Sequence, residues 1–286
     1  MQTFTLTRSG QPALRYAIWS VERPKAAVFM TMGYAEHLGR WAHVAERWAA
    51  AGFAVAAYDL RGQGESQGRR GHVDRFSDFS DDLLAVLQHL ETEHEWKALA
   101  PPIWFGHSLG GLISTVTAID HPSRLSALAL QSPYYCLAMA PPAWKVWAGR
   151  RVSKVLPTLA QASGVDARHL TRDAARVALM EKDPLRVTTI TTRWFTEAEA
   201  AQQRVVNEFA KLQMPIYCRA AGADRICDLA FTRRLFEQAP RAERILEVAA
   251  DCYHELHQET DWEQHMDAFA HHFARWANAG ERGSIE

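Results

Sequence analysis

Short apolar runs recur along the chain at residues 3–7, 14–19, 26–31, 53–58, 103–106, 127–131, 215–219 and 245–248. The first two lie close together and alternate apolar with polar positions, as a hairpin at a sheet edge does. The later six are almost continuously apolar, which predicts strands covered on both faces. Helical periodicity fills the gaps between them. Over residues 76–96, Phe76, Phe79, Leu83, Leu84, Leu87 and Leu90 recur near helical spacing. The helix expected over residues 41–51 ends at Gly52, a residue able to take the left-handed conformation that closes a helix. Further helices are expected over 109–119, 229–238 and 262–276. Strand and helix in alternation predict an α/β fold: a mostly parallel, eight-stranded sheet with helices on both faces.

The alternation stops between Tyr134 and Arg204. Helical pieces punctuated by Pro141-Pro142, Pro157 and Pro184 fill that stretch, with no convincing strand, and the strand–helix pattern resumes at Met214. The flanking elements are incomplete without each other, so residues 1–133 and 205–286 read as one core and 134–204 as a helical insertion. No internal repeat or low-complexity tract interrupts either part.

Composition narrows the function. With 48% of its 286 residues apolar or aromatic, the chain has ample material for a buried core. A formal net charge of -1, with acids and bases mixed, argues against a nucleic-acid binder, whose footprint would be a basic face. Cys136, Cys218, Cys227 and Cys252 fall at no CxxC or zinc-like spacing. The start of the chain has no basic patch followed by an apolar run, and the most apolar stretch, 48–58, is too short to span a bilayer. A soluble, cytoplasmic protein is the expectation.

The strongest local signal is Gly106-His107-Ser108-Leu109-Gly110, between a strand and a helix. A serine hydroxyl is a poor nucleophile unless it is exposed, aimed and near a base. A sharp strand-to-helix turn lifts it above the sheet edge, and a glycine two residues to either side gives the turn room. The Leu109 N–H, at the start of the helix, is then a candidate oxyanion donor. Triad partners on such a sheet follow in the order Ser, Asp or Glu, His. Asp224 sits after the strand at 215–219, at a carboxyl end where sites of such sheets lie. Asp228, its competitor, precedes a helix and reads as an N-cap. His254 follows the strand at 245–248 and is the candidate base. His254, Glu255 and His257 form HExH, which lacks the four-residue spacing of a zinc site, so neither a metal nor a cofactor is expected.

These motifs resemble the monoacylglycerol lipase and lysophospholipase group of α/β-hydrolases, over nearly the whole chain. The similarity runs through Asp59-Leu60-Arg61-Gly62-Gln63-Gly64-Glu65-Ser66, Gly68-Arg69-Arg70-Gly71-His72-Val73, Asp81-Asp82-Leu83, Asp183-Pro184-Leu185, Ala223-Asp224-Arg225-Ile226 and Tyr253-His254-Glu255-Leu256. It implies an α/β-hydrolase fold and a serine hydrolase cleaving lipid-like esters through an acyl-enzyme on Ser108. It also implies that the 134–204 insertion is a cap over the site. Where the family has His-Gly, this chain has Met32-Gly33-Tyr34; the resemblance then assigns the second oxyanion N–H to Tyr34 and brings its ring near the acyl site. Asp251-Cys252 also replaces the family's usual small residues.

Within the insertion, Trp144, Trp147, Ala148, Val152, Val155 and Leu156 can share one helical face, with Lys145, Arg150, Arg151 and Lys154 mainly away from it. Trp144 and Trp147 are therefore expected to line the substrate site. The same stripe would suit transient docking on a membrane surface. The alternatives are a short-chain carboxylesterase, a related peptidase, or a non-catalytic binder on the same fold. Epoxide and haloalkane hydrolases of this fold use aspartate at the elbow, and Ser108 argues against them.

Overall fold

The computed structural model describes residues 1–94, 96, 99, 101–239 and 243–283. An antiparallel hairpin, β1 (Gln2–Arg8) and β2 (Gln11–Trp19), opens the chain. Strands and helices then alternate: β3 (Ala27–Thr31), α1 (Leu38–Ala50), β4 (Ala54–Tyr58), α2 (Ser77–Glu93), β5 (Ile103–His107), α3 (Leu109–Asp120) and β6 (Ala127–Gln131). The sheet has the order β1-β2-β4-β3-β5-β6-β9-β10, completed by β9 (Ile216–Ala221) and β10 (Arg244–Ala249). All pairings from β4 to β10 are parallel.

Every residue of β3, β4, β5 and β6 is buried, as the unbroken apolar runs require of strands covered on both faces. On one side α2 and α3 contribute Phe79, Leu83, Leu87, Leu112 and Val116 to the core. On the other, Trp41, Val44 and Trp48 of α1 meet Phe269 and Phe273 of the last helix (Trp262–Gly283). Burial of each such side chain stabilises the fold by roughly 1.5–3 kcal/mol. Helix α1 begins three residues earlier than its apolar period suggests, because His37 caps it by accepting from the Gly39 N–H at 3.2 Å.

Between β6 and β9 the chain forms α4 (Ala143–Val155), β7 (Ala160–Ala162), α5 (Ala174–Lys182), β8 (Thr189–Thr191) and α6 (Thr192–Glu208). Here the structure departs from the expectation of no strand. β7 and β8 pair antiparallel, with Ala160 opposite Thr191, Gln161 opposite Ile190 and Ala162 opposite Thr189. Three residues are too few to display an alternating period, and β7 is exposed throughout, so neither strand leaves a pattern in the sequence. Partners from the core hold the pair: Thr191 N–H donates to the Gly71 carbonyl at 2.9 Å, and His72 Nδ1 lies 2.8 Å from Thr191 Oγ1. After β9, α7 (Leu229–Gln238) and β10 lead to α8, the helix Trp262–Gly283.

Candidate active site

Ser108 occupies the turn between β5 and α3 with φ 50° and ψ -116°. A positive φ on a non-glycine residue costs on the order of 1–3 kcal/mol and persists only where the surroundings enforce it. Here the Ser108 N–H donates to the Gln131 carbonyl at 3.0 Å, and its carbonyl accepts from Leu112 and Tyr134. The glycine spacing has a steric cause. A Cβ on Gly110 would lie 2.0 Å from the Thr31 carbonyl oxygen, so β3 and α3 approach too closely for any side chain there.

Asp224 follows β9 and is pinned by the backbone of its own loop. Its Oδ1 accepts from the Ile226 and Cys227 N–H groups at 2.8 and 2.9 Å. The other oxygen, Oδ2, lies 2.7 Å from Nδ1 of His254, which follows β10. Both side chains are almost fully buried. Burial opposes a charged imidazole, yet the Asp224 carboxylate, with its hydrogen bond, outweighs that and holds His254 well above its ordinary value. Asp228 caps α7, accepting from the Phe231 N–H at 3.0 Å, as its position before a helix implied.

The segment after β3 runs beside the serine: a Cβ on Gly33 would stand 3.3 Å from Ser108 Cβ. Glu36 accepts from the Gly33 N–H and Gln63 from the Ala35 N–H, with Ala35 held at φ 64°. The Tyr34 N–H between them has no partner among the described residues. Leu109 supplies the first amide of α3. Met32 is buried in the core on the α1 side of the sheet.

Two features escaped the sequence. The buried Cys227 thiol lies within 4.8 Å of the ligand atoms of Asp224 and His254, and burial pushes its pKa up. Behind the serine, Gln131 Nε2 sits 2.9 Å from Nδ1 of both His107 and His257, and His257 Nε2 is 3.1 Å from Glu36 Oε1. Burial lowers both imidazoles well below the usual range, which keeps them neutral. The one-dimensional signal for these contacts is weak, because they join four separate loops and strands. Cys252 meets His265 Nε2 at 3.2 Å and Arg172 at 3.3 Å, away from any turn that would present it as a nucleophile.

A cavity of about 200 Å³ opens over Ser108 and His254. Its walls are mainly apolar, with Tyr34, Tyr134, Ile190, Trp194, Phe195 and Ile226 prominent. Trp144 and Trp147 are not among its lining residues, which corrects the expectation that they contact substrate there. They are 67% and 61% exposed. The reason is the rotation of α4: Ser153 is its buried residue, bonded to Thr196 of α6 at 2.9 Å, which leaves both tryptophans largely in solvent.

The sequence model of a family described as serine aminopeptidase, S33, matches residues 22–261. Monoglyceride lipase of Rattus norvegicus is 32% identical over 241 residues, covering 82% of this chain and 77% of that protein. A phospholipase of Bacillus subtilis is 27% identical, over 86% of this chain and 93% of its own length. The crystal structure of Paleococcus ferrophilus monoacylglycerol lipase superposes with a TM-score of 0.84 at 25% identity, covering 92% of this chain and 99% of that one. The mostly parallel eight-stranded sheet described above is thus the α/β-hydrolase fold.

Proposed function

The chain belongs to the serine aminopeptidase S33 family of α/β-hydrolases and is a serine ester hydrolase, and from that premise we propose that it cleaves monoacylglycerols through an acyl-enzyme on Ser108. The observation that carries this reading is the apolar cavity onto which Ser108 and His254 open together. His254 takes the proton from Ser108 as the hydroxyl attacks the acyl carbonyl. The N–H groups of Tyr34 and Leu109 receive the oxyanion, and His254 then protonates the departing glycerol. Water repeats the sequence on the acyl-enzyme. Asp224 fixes the imidazole tautomer and stabilises its charged form.

A lysophospholipid is the second reading, supported by the Bacillus phospholipase. The cavity lining favours the neutral headgroup, because it includes no lysine or arginine to meet a phosphate, and its one carboxylate is Glu255. Residues 134–204 act in this scheme as the cap that excludes water from the ester. The outward face of α4, bearing Trp144 and Trp147, is assigned to transient contact with a lipid surface. Among the described residues, no helix is long and apolar enough to cross a membrane.

The test compares decanoylglycerol with decanoyl lysophosphatidylcholine, using the wild type and Ser108→Ala. Faster turnover of the glycerol ester, with loss on the order of 10⁶ in the variant, is the expected result. A preference for the phospholipid would reverse the headgroup assignment, and full activity in Ser108→Ala would remove the serine from the mechanism.

A further inference from the structure

Tyr34 joins two parts of the molecule that the chemistry needs at once. Its main chain lies in the loop beside Ser108, anchored on either side by the Gly33–Glu36 and Ala35–Gln63 hydrogen bonds. Its side chain reaches the insertion. The hydroxyl donates to the Thr189 carbonyl, the first residue of β8, at 2.9 Å. The ring packs against Trp194 with centroids 5.4 Å apart, and Trp194 in turn stacks on Tyr134 at 6.4 Å. Tyr34, Trp194 and Tyr134 thus form one aromatic wall of the cavity.

That wall is held from behind. β8 is tied to the core through Gly71 and His72, and Thr191 also caps α6 by accepting from the Trp194 N–H at 3.2 Å. An acyl chain pressing on Tyr34 or Trp194 therefore meets packed structure. The space in front of the wall is about 200 Å³. An apolar cavity of about 150 Å³ takes benzene, with six carbons, so this one holds on the order of eight when the acyl group fills it and the headgroup lies at its mouth.

We propose that Tyr34 is a specificity-determining residue that limits the enclosed acyl group to about eight carbons, by closing the cavity against the β7–β8 pair with its ring. The inference rests on the ester-hydrolase reading above and adds the acyl class, medium-chain esters. Within the cavity each added methylene gains up to about fourfold in kcat/KM, the equivalent of its transfer from water. Past the wall that gain stops, and a longer chain must bend out toward solvent.

The experiment measures kcat and KM for p-nitrophenyl esters from acetate to palmitate, below their aggregation limits, with the wild type, Tyr34→Ala, Tyr34→Phe and Tyr34→Trp. Wild-type kcat/KM should climb to a maximum near the octanoate and then level or fall. Tyr34→Ala should keep climbing to at least the dodecanoate, a gain there of about tenfold or more, since roughly fourfold per methylene compounds quickly. Tyr34→Phe retains the ring and should keep the octanoate maximum, while its kcat falls a few-fold at every length because the tie to Thr189 is gone. Tyr34→Trp should move the maximum to shorter chains, and it tests the wall even if Tyr34→Ala does not fold. A maximum that stays put in both Tyr34→Ala and Tyr34→Trp, or a wild type that climbs through palmitate, overturns the proposal and leaves the hydrolase reading intact. Activity absent at every length in the folded wild type would overturn both.

Discussion

Asp224 divides its two oxygens between different tasks, and that division governs how His254, the base of the proposed mechanism, titrates. One oxygen is fixed by two backbone amides, so the other is presented to His254 Nδ1 in a set direction. His254 accepts a proton only when neutral, and the carboxylate holds its pKa well above 6.5. The sign follows: kcat/KM should rise with pH through a midpoint above 6.5, as the ring loses its proton. Asp224→Asn removes the attraction and leaves the burial, which moves the midpoint down. It also leaves the tautomer uncontrolled and should lower kcat by about 10⁴. A pH–rate profile of both proteins checks this, and a midpoint unchanged in Asp224→Asn would show that the carboxylate does not set the base.

At this scale the sequence marks what local geometry controls. Ser108, Asp224 and His254 each follow a strand in a loop with a distinctive pattern, and the structure brings Asp224 and His254 into contact. Cys227, Glu36 and His257 carry no comparable mark, because their roles are contacts between remote segments. Trp144 and Trp147 illustrate the opposite error. A helix of thirteen residues with apolar groups on most sides has no single face, and its rotation is set by what it packs against.

Among the elements, β3 to β6 were legible because their burial on both faces forces unbroken apolar runs, and the β1–β2 hairpin because its positions alternate. The β7–β8 pair was not, since its register depends on Gly71 and Tyr34 rather than on its own six residues. Gly71 is the sensitive point. It has φ +63°, and a Cβ there would stand 1.8 Å from the Thr189 carbonyl oxygen. Alanine at this position must displace β8, a backbone neighbour with no flexible end to give way. We expect Gly71→Ala to lose about 1–3 kcal/mol of stability. In a chain of this size, each kcal/mol lowers Tm by roughly 2–4 °C. Thermal unfolding reads the loss. An unchanged Tm, with esterase activity retained at every chain length, would mean that the pair is not clamped through Gly71.

Over the whole molecule the charge is nearly balanced, but its distribution is not. Residues 121–165 contain no aspartate or glutamate, while Arg124, Lys145, Arg150, Arg151 and Lys154 fall within them. The same region exposes Met139, Trp144, Trp147, Val155, Leu156 and Leu159. Arg150 is paired with Glu199, whereas Lys145 and Arg151 lie over the rings of Trp144 and Trp147. An exposed apolar patch rimmed by cations suits an anionic lipid interface. Vesicles containing phosphatidylserine should therefore co-sediment the protein more strongly than neutral ones, and added salt should weaken the difference. Replacing Trp144 and Trp147 together by alanine should reduce binding at least several-fold, on the scale of two buried aromatic side chains. Equal sedimentation of that variant and the wild type would move any lipid contact to another face.

The strands that bracket the insertion, β6 and β9, are direct neighbours in the sheet, paired from Leu128–Ile216 to Gln131–Arg219. Everything from residue 132 to 215 is consequently a detour that starts and finishes at one spot. Closing such a loop depends only weakly on its length, at about 0.6 kcal/mol for each doubling. Its two ends are nonetheless tied to the rim and the core: the Tyr134 N–H donates to the Ser108 carbonyl, and Val205, Phe209 and Leu212 pack in the main hydrophobic cluster. For engineering, that confines the natural graft to the part of 134–204 between those anchors: a replacement needs a partner for the Tyr34 hydroxyl, and the acyl pocket can then be recut around the proposed reacting groups.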